Sequence, residues 1–206
     1  MLVHTKQVYG NNPLLPKLTA GAKVAKPNTV WGVDWRGGPV LAPWPTEQVL
    51  STIADDIADR ATAVCLLEWG DDQYLRAWVR AQGGRNLLTG DPAPGEEELI
   101  SPVVTVAMEF LSEAVNHANG LVQTFDKEIT IQALQALVRA GHTFEVDNLV
   151  AWALAHGFTG SEAGRLRDYA TKVLQGHRFK MSRKMLRDDI VEHWEQEARD
   201  GSSGAD

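Results

Sequence analysis

The stretch "TAVCLLEWGDD", Thr62 to Asp72, decides the fold, because an unbroken apolar run ends abruptly in Glu68, Asp71 and Asp72 around Gly70. Ala63 to Leu67 is short, continuous in its hydrophobicity and centred on Val64 and Cys65, the pattern of a strand buried on both faces. Asp71 is placed to cap a following helix, in which Tyr74, Leu75, Trp78 and Val79 form one stripe before Gly83 and Gly84 end it. A buried strand that hands over directly to a helix predicts a parallel sheet with crossover connections.

The flanking sequence extends this pattern in both directions. Upstream, "VWGVDWRGGPVLAPWP" (30–45) places apolar runs around Gly37 and Gly38, which predicts a hairpin, with Pro39 keeping the second strand's start at an edge or outside the ladder. Thr46 can cap a helix that carries Glu47, Val49, Leu50, Ile53 and Ile57, and "RNLLTG" (85–90) reads as a further strand. From Ser101 and Pro102 onward the periodicity becomes helical, over 101–118, 127–140, 146–156, 160–175 and 182–199, with glycines at 141, 157 and 176 marking three of the ends. The expected fold is mixed α/β and α+β. A small, partly parallel sheet with helices occupies the N-terminal half, and an all-helical array of about five helices follows. The domain reading is a flexible basic arm (1–28), a small α/β domain (29–92), a helical domain (101–199) and a disordered tail (200–206). The turn-rich acidic piece "GDPAPGEEE" lies between the two domains.

With 206 residues, 44% hydrophobic and 23% charged, the chain has the balance of a folded soluble protein rather than a disordered one. Cys65 is the single cysteine, which excludes an intrachain disulfide and a cysteine-based metal site. The longest helical apolar run, Leu149 to Ala155, is far too short to span a bilayer, and residues 1–20 lack the continuous apolar stretch of a secretory signal. The expected location is the cytoplasm.

Charge is unevenly distributed. The net charge is −7, but residues 1–33 carry +4, 34–164 carry −12, 165–187 carry +7 and 188–206 carry −6. In "RLRDYATKVLQGHRFKMSRKMLR" the bases Arg165, Arg167, Lys172, Arg178, Lys180, Arg183, Lys184 and Arg187 interleave with Tyr169 and Phe179. Residues 146–175 fit a helix-turn-helix whose second helix carries Arg165 and Arg167 near its start, while Glu162 at that start would repel phosphate. Such a stripe can neutralise phosphates or meet an acidic protein, and it can equally pair with acids of its own chain.

The chemical motifs point away from standard catalysis. Glu68, Asp71 and Asp72 lie at the C-terminal end of a predicted parallel strand, where α/β sheets place ligands, and their carboxylates could hold Mg²⁺. Through Glu68, Gly70 and Asp71 the stretch resembles the Toprim fold of primases and topoisomerases, in which a glutamate beside a glycine ends a strand ahead of a helix. That resemblance implies metal-dependent phosphoryl transfer. Trp69 stands where that family usually has glycine, and the Asp-x-Asp pair of a later strand is missing. Read from the residues alone, Asp71 is a cap, Asp72 favours the helix N-terminus and Glu68 is solvated.

The histidines form no metal motif. His142, His156 and His177 adjoin helix-ending glycines, which suits hydrogen bonding to helix C-termini. No nucleophile elbow or phosphate-binding glycine loop occurs. Trp31, Trp35 and Trp44 crowd around the expected hairpin, as sheet cover, a stacking platform or an interface anchor. The expectation is therefore a non-catalytic binding or adaptor module without a cofactor, contacting nucleic acid or an acidic protein through 165–187. The rivals are a Mg²⁺-dependent phosphoryl-transfer enzyme at Glu68, Asp71 and Asp72, and an oligomeric scaffold built through the Trp-rich segment.

Overall fold

The computed structural model describes residues 1–70, 73–91 and 100–202 of the chain. The chain divides into two compact units, Met1–Arg76 and Ala77–Asp206. The fold is mixed α+β, with a two-stranded parallel sheet and a helical C-terminal half. No helix among the described residues is long and apolar enough to cross a membrane.

In the first unit, β1 (Gly38–Pro43) pairs in parallel with β2 (Ala61–Leu67), with Val40 opposite Val64 and Leu41 opposite Cys65. Parallel strands need a crossover, and here it runs through α3 (Glu47–Thr52), a π-helical turn at Ile53–Ile57 and a 3₁₀ turn at Ala58–Arg60. Val49, Leu50, Ile53 and Ile57 are all buried, as their helical spacing requires, and so are Val40 and Ala42 of β1.

The hairpin expected at Gly37 and Gly38 is not formed. Residues Pro27–Gly32 make a 3₁₀ helix, and the two glycines lead into β1. The glycine at 37 serves a close approach instead: a Cβ there would meet the Arg60 carbonyl oxygen at 3.0 Å, and its φ of +128° is one that other residues rarely adopt. "RNLLTG" is a turn rather than a strand: the Gly90 amide donates to the Asn86 carbonyl at 2.9 Å, and Leu87 and Leu88 are exposed.

Residues 1–28, expected as a basic arm, contain α1 (Lys6–Asn11) and α2 (Leu15–Leu18). Leu2, Val3 and Leu15 are buried, and the Leu2 amide donates to the Leu41 carbonyl at 3.0 Å along the outer edge of β1. β2 differs from its sequence pattern more sharply. No residue of Ala61–Leu67 is fully buried, although the run was expected to be an interior strand.

Helix α4 (Gln73–Ala81) follows, and the expected Asp71 cap lies outside the described residues. The second unit then contains α5 (Pro102–Ala114), α6 (Thr124–Arg139), α7 (Val146–Ala155), α8 (Gly160–Leu174) and α9 (Ile190–Ser202). Five helices were expected at nearly these places, except that the last begins at Ile190 rather than at 182. One apolar cluster runs through all five, including Met108, Leu134, Leu149, Leu166 and Trp194. α7 has Leu149 to Leu154 buried without interruption, so it is a core helix enclosed by its neighbours. In α9, Ile190, Trp194 and Ala198 form the single buried stripe of a surface helix, and Trp194 packs on Phe110 at 5.7 Å between ring centroids.

Candidate functional site

The eight bases of the stripe fall into two groups. On α8, Glu162, Arg165 and Tyr169 lie three and four positions apart and therefore share one face, which clasps the loop after α5. The Glu162 side chain, wholly buried, takes hydrogen bonds from the Thr159 amide at 2.7 Å and the Thr159 hydroxyl at 3.0 Å, completing a capping box. It also lies 3.1 Å from His117 Nδ1, whose Nε2 faces the Ser112 carbonyl at 3.0 Å. Both ring nitrogens thus face oxygen atoms that accept hydrogen bonds.

The same face holds the loop at two further points. Arg165 donates to the Gly120 carbonyl, and the Tyr169 hydroxyl donates to the Leu121 carbonyl at 3.1 Å. Burial pushes the Tyr169 phenol above its ordinary pKa. Gly120 and Leu121 both adopt left-handed backbone, with φ of 58° and 57°. A Cβ on Gly120 would sit 2.8 Å from the Arg165 guanidinium, so glycine is needed there. Leu121 bears a conformation that is unfavourable for a branched side chain, and its full burial together with the Tyr169 bond holds it there. Asp126 at the start of α6 accepts from the Asn116 amide at 3.3 Å and closes the clasp from the other side.

Arg165 is therefore a structural donor. Arg167 reaches back across the α7–α8 hairpin to Asp147 at 2.5 Å, and Lys172 pairs with Asp168 at 2.7 Å. The helical hairpin expected over 146–175 exists, but the exposed positions Ser161, Gly164 and Asp168 near the start of α8 present no cation. Glu162, expected to repel phosphate, is turned inward.

The second group sits on the connector 177–189, which runs between α8 and α9 without helix or strand. Its backbone is pinned by two side chains of α6, one turn apart. Glu128 accepts from the Ser182 amide at 2.8 Å and the Ser182 hydroxyl at 2.7 Å. Gln132 donates to the Arg183 carbonyl and accepts from the Met185 amide, each at 2.8 Å. The Ser182 hydroxyl, then its amide, hold the Glu128 carboxyl below its ordinary pKa. Phe179, Met181, Met185 and Leu186 pack against the core beneath.

With the frame fixed, the charges divide. Lys184 pairs with Asp188, and Arg187 with Asp189 through two bonds, which raises the Arg187 pKa and lowers that of Asp189. Arg178, Lys180 and Arg183 are exposed, and among the described residues their side chains have no ion-pair or hydrogen-bond partner.

The other sequence candidates are placed as follows. Glu68 is bonded to Arg76 Nε at 2.8 Å, while Asp71 and Asp72 lie outside the described residues. Among the described residues no group of three or more His, Cys, Asp or Glu is gathered closely enough to hold a metal ion. Arg60 lies over both Trp31 and Trp35, at 5.1 and 5.4 Å from the ring centroids, so these indoles cradle a cation of their own chain. Trp44 sits just beyond β1 and meets Trp69 edge-on at 6.1 Å. His142 is 3.0 Å from Glu195, His156 bonds to the Trp152 carbonyl at 2.8 Å, and His177 abuts Phe179. Sequence reasoning missed His117 and Glu128, although the capping-box spacing Thr159-x-x-Glu162 was open to reading.

Comparison with known proteins adds one finding. Residues 100–195, a little under half of the chain, match the family model described as a domain of unknown function, DUF1889, and these residues take in α5 to α8 and the first six of the thirteen residues of α9. No curated protein and no solved structure gave a match.

Proposed function

We propose that the chain is a non-catalytic binding module that takes an acidic protein segment on the connector between α8 and α9. The observation that carries this reading is the triad Arg178, Lys180 and Arg183, exposed and without a partner among the described residues, on a backbone that Glu128 and Gln132 hold in place. A preset backbone lowers the ordering entropy that a partner would otherwise oppose. Three discrete cations flanked by Asp188, Asp189 and Glu192 suit a short acidic segment better than the dense phosphate ladder of a duplex. We also place the protein in the cytoplasm, where Cys65 stays a free thiol.

Fluorescence anisotropy with a labelled oligoglutamate peptide tests the proposal, with a duplex DNA of arbitrary sequence in parallel. Combined charge reversal, Arg178→Glu with Lys180→Glu and Arg183→Glu, should weaken peptide binding by roughly 10- to 100-fold, the sum expected of rim contacts. Tighter binding to DNA with a steep salt dependence would reassign the partner to nucleic acid. No binding of either probe at low ionic strength would overturn the reading.

A further inference from the structure

β2 has the composition of an interior strand and the position of an edge strand. Its free edge can be deduced from one bond. The Trp44 amide donates to the Leu67 carbonyl at 2.8 Å, so the backbone groups of Leu67 face β1. Successive residues of a regular strand turn their backbone groups to opposite edges, and over residues 63–67, where the register with β1 is unbroken, those of Val64 and Leu66 therefore face away from β1. Among the described residues no backbone group bonds to that edge.

Edges of this kind are normally blunted by lysine, proline, a bulge or cover. Ala61–Leu67 contains no charge, no proline and no glycine, its one irregularity is a register shift at Thr62 near its start, and its apolar surface continues into Leu67, 36% exposed, and Trp69, 81% exposed. A two-stranded sheet is also marginal on its own.

We propose that β2 pairs antiparallel with β2 of a second copy of this chain, about a two-fold axis at Val64. Two features of the strand select a copy of itself as occupant. Val64, at the midpoint of the strand, directs its amide and carbonyl outward, so each copy's Val64 exchanges both bonds with the other, with the outward groups of Leu66 set beside the other copy's Thr62. Side-chain volume is graded along the strand, small at Ala61, Thr62 and Ala63 and larger at Leu66 and Leu67. Antiparallel pairing about Val64 sets Thr62 against Leu66 and Ala63 against Cys65, so the small end of one strand meets the large end of the other. The contact is isologous, closes at two copies and joins the sheets into one of order β1-β2-β2-β1.

The test is light-scattering mass of the full chain over a concentration series, which should approach twice 22.6 kDa. Val64→Pro removes an outward amide that has no partner among the described residues and should return the protein to the monomer mass, with the circular dichroism spectrum retained. Ala63→Lys, at an exposed position, should do the same by charge and serves if the proline variant fails to fold. In Ala63→Cys the introduced thiol lies opposite the second copy's Cys65, and mild oxidation should give a covalent dimer that is lost when Cys65→Ser is added. A monomer mass at every concentration overturns the proposal, as does a dimer indifferent to both strand variants. The charge-reversed connector variant should remain dimeric, so this interface and the proposed partner site fail independently.

Discussion

Replacing Glu162 by alanine isolates the clasp between α8 and the loop after α5. The native carboxylate is wholly buried and accepts from the Thr159 amide, the Thr159 hydroxyl and His117 Nδ1. Hydrogen bonds to a charged group are each worth about 1.5–3 kcal/mol. Water can reach His117 and Thr159, which are partly exposed, and recovers some of this. The remainder, about 3 kcal/mol, is at the lower end of the loss seen when one partner of a buried pair is removed. For a helical unit of this size it corresponds to a fall in Tm of roughly 10 °C. Urea unfolding followed by far-UV circular dichroism measures the loss. Glu162→Gln keeps the volume and an acceptor for the Thr159 amide and should show about half the effect. A cycle with His117→Ala should return a coupling of about 1–2 kcal/mol. If Glu162→Ala lowers stability by less than about 0.5 kcal/mol, the clasp does not organise this part of the protein and the reasoning fails.

Tyr169→Phe leaves the Leu121 carbonyl without its partner and should reduce stability by about 1 kcal/mol in the same assay. The depressed pKa of Glu128 makes a pH prediction with a definite sign. Its contribution is full above the ordinary glutamate pKa and disappears as pH falls through the lowered value. Urea midpoints taken from neutral to acid pH should therefore fall less steeply in Glu128→Gln than in the wild type, and the two proteins should converge at low pH.

The features legible in the sequence were those set by local pattern. The apolar periodicities of 101–175 and the stops at Gly141, Gly157 and Gly176 located four helices to within a few residues. The last helix was placed too early because Met181, Met185 and Leu186 have roughly helical spacing. In the folded chain they are anchored instead by Glu128 and Gln132, more than fifty residues upstream in sequence. The basic stripe was visible as composition, but its division was not, since Arg167 pairs with Asp147 and Arg165 with Gly120, across separations that no local rule addresses. β2 shows the limit most clearly. Hydrophobicity identified the strand and said nothing about how many neighbours one chain would supply.

The connector has a consequence for how its surface comes into existence. Its path is drawn by side chains of another helix rather than by its own turns, so Arg178, Lys180 and Arg183 take up their spacing only after α6 has formed and docked. A ligand that recognises that spacing would discriminate the finished domain from a nascent or damaged one. The same arrangement separates two kinds of evolutionary constraint. Substitutions at the three outward positions change the displayed charge and leave the frame alone, whereas a change at Glu128 or Gln132 would blur the whole display without touching any charge on it.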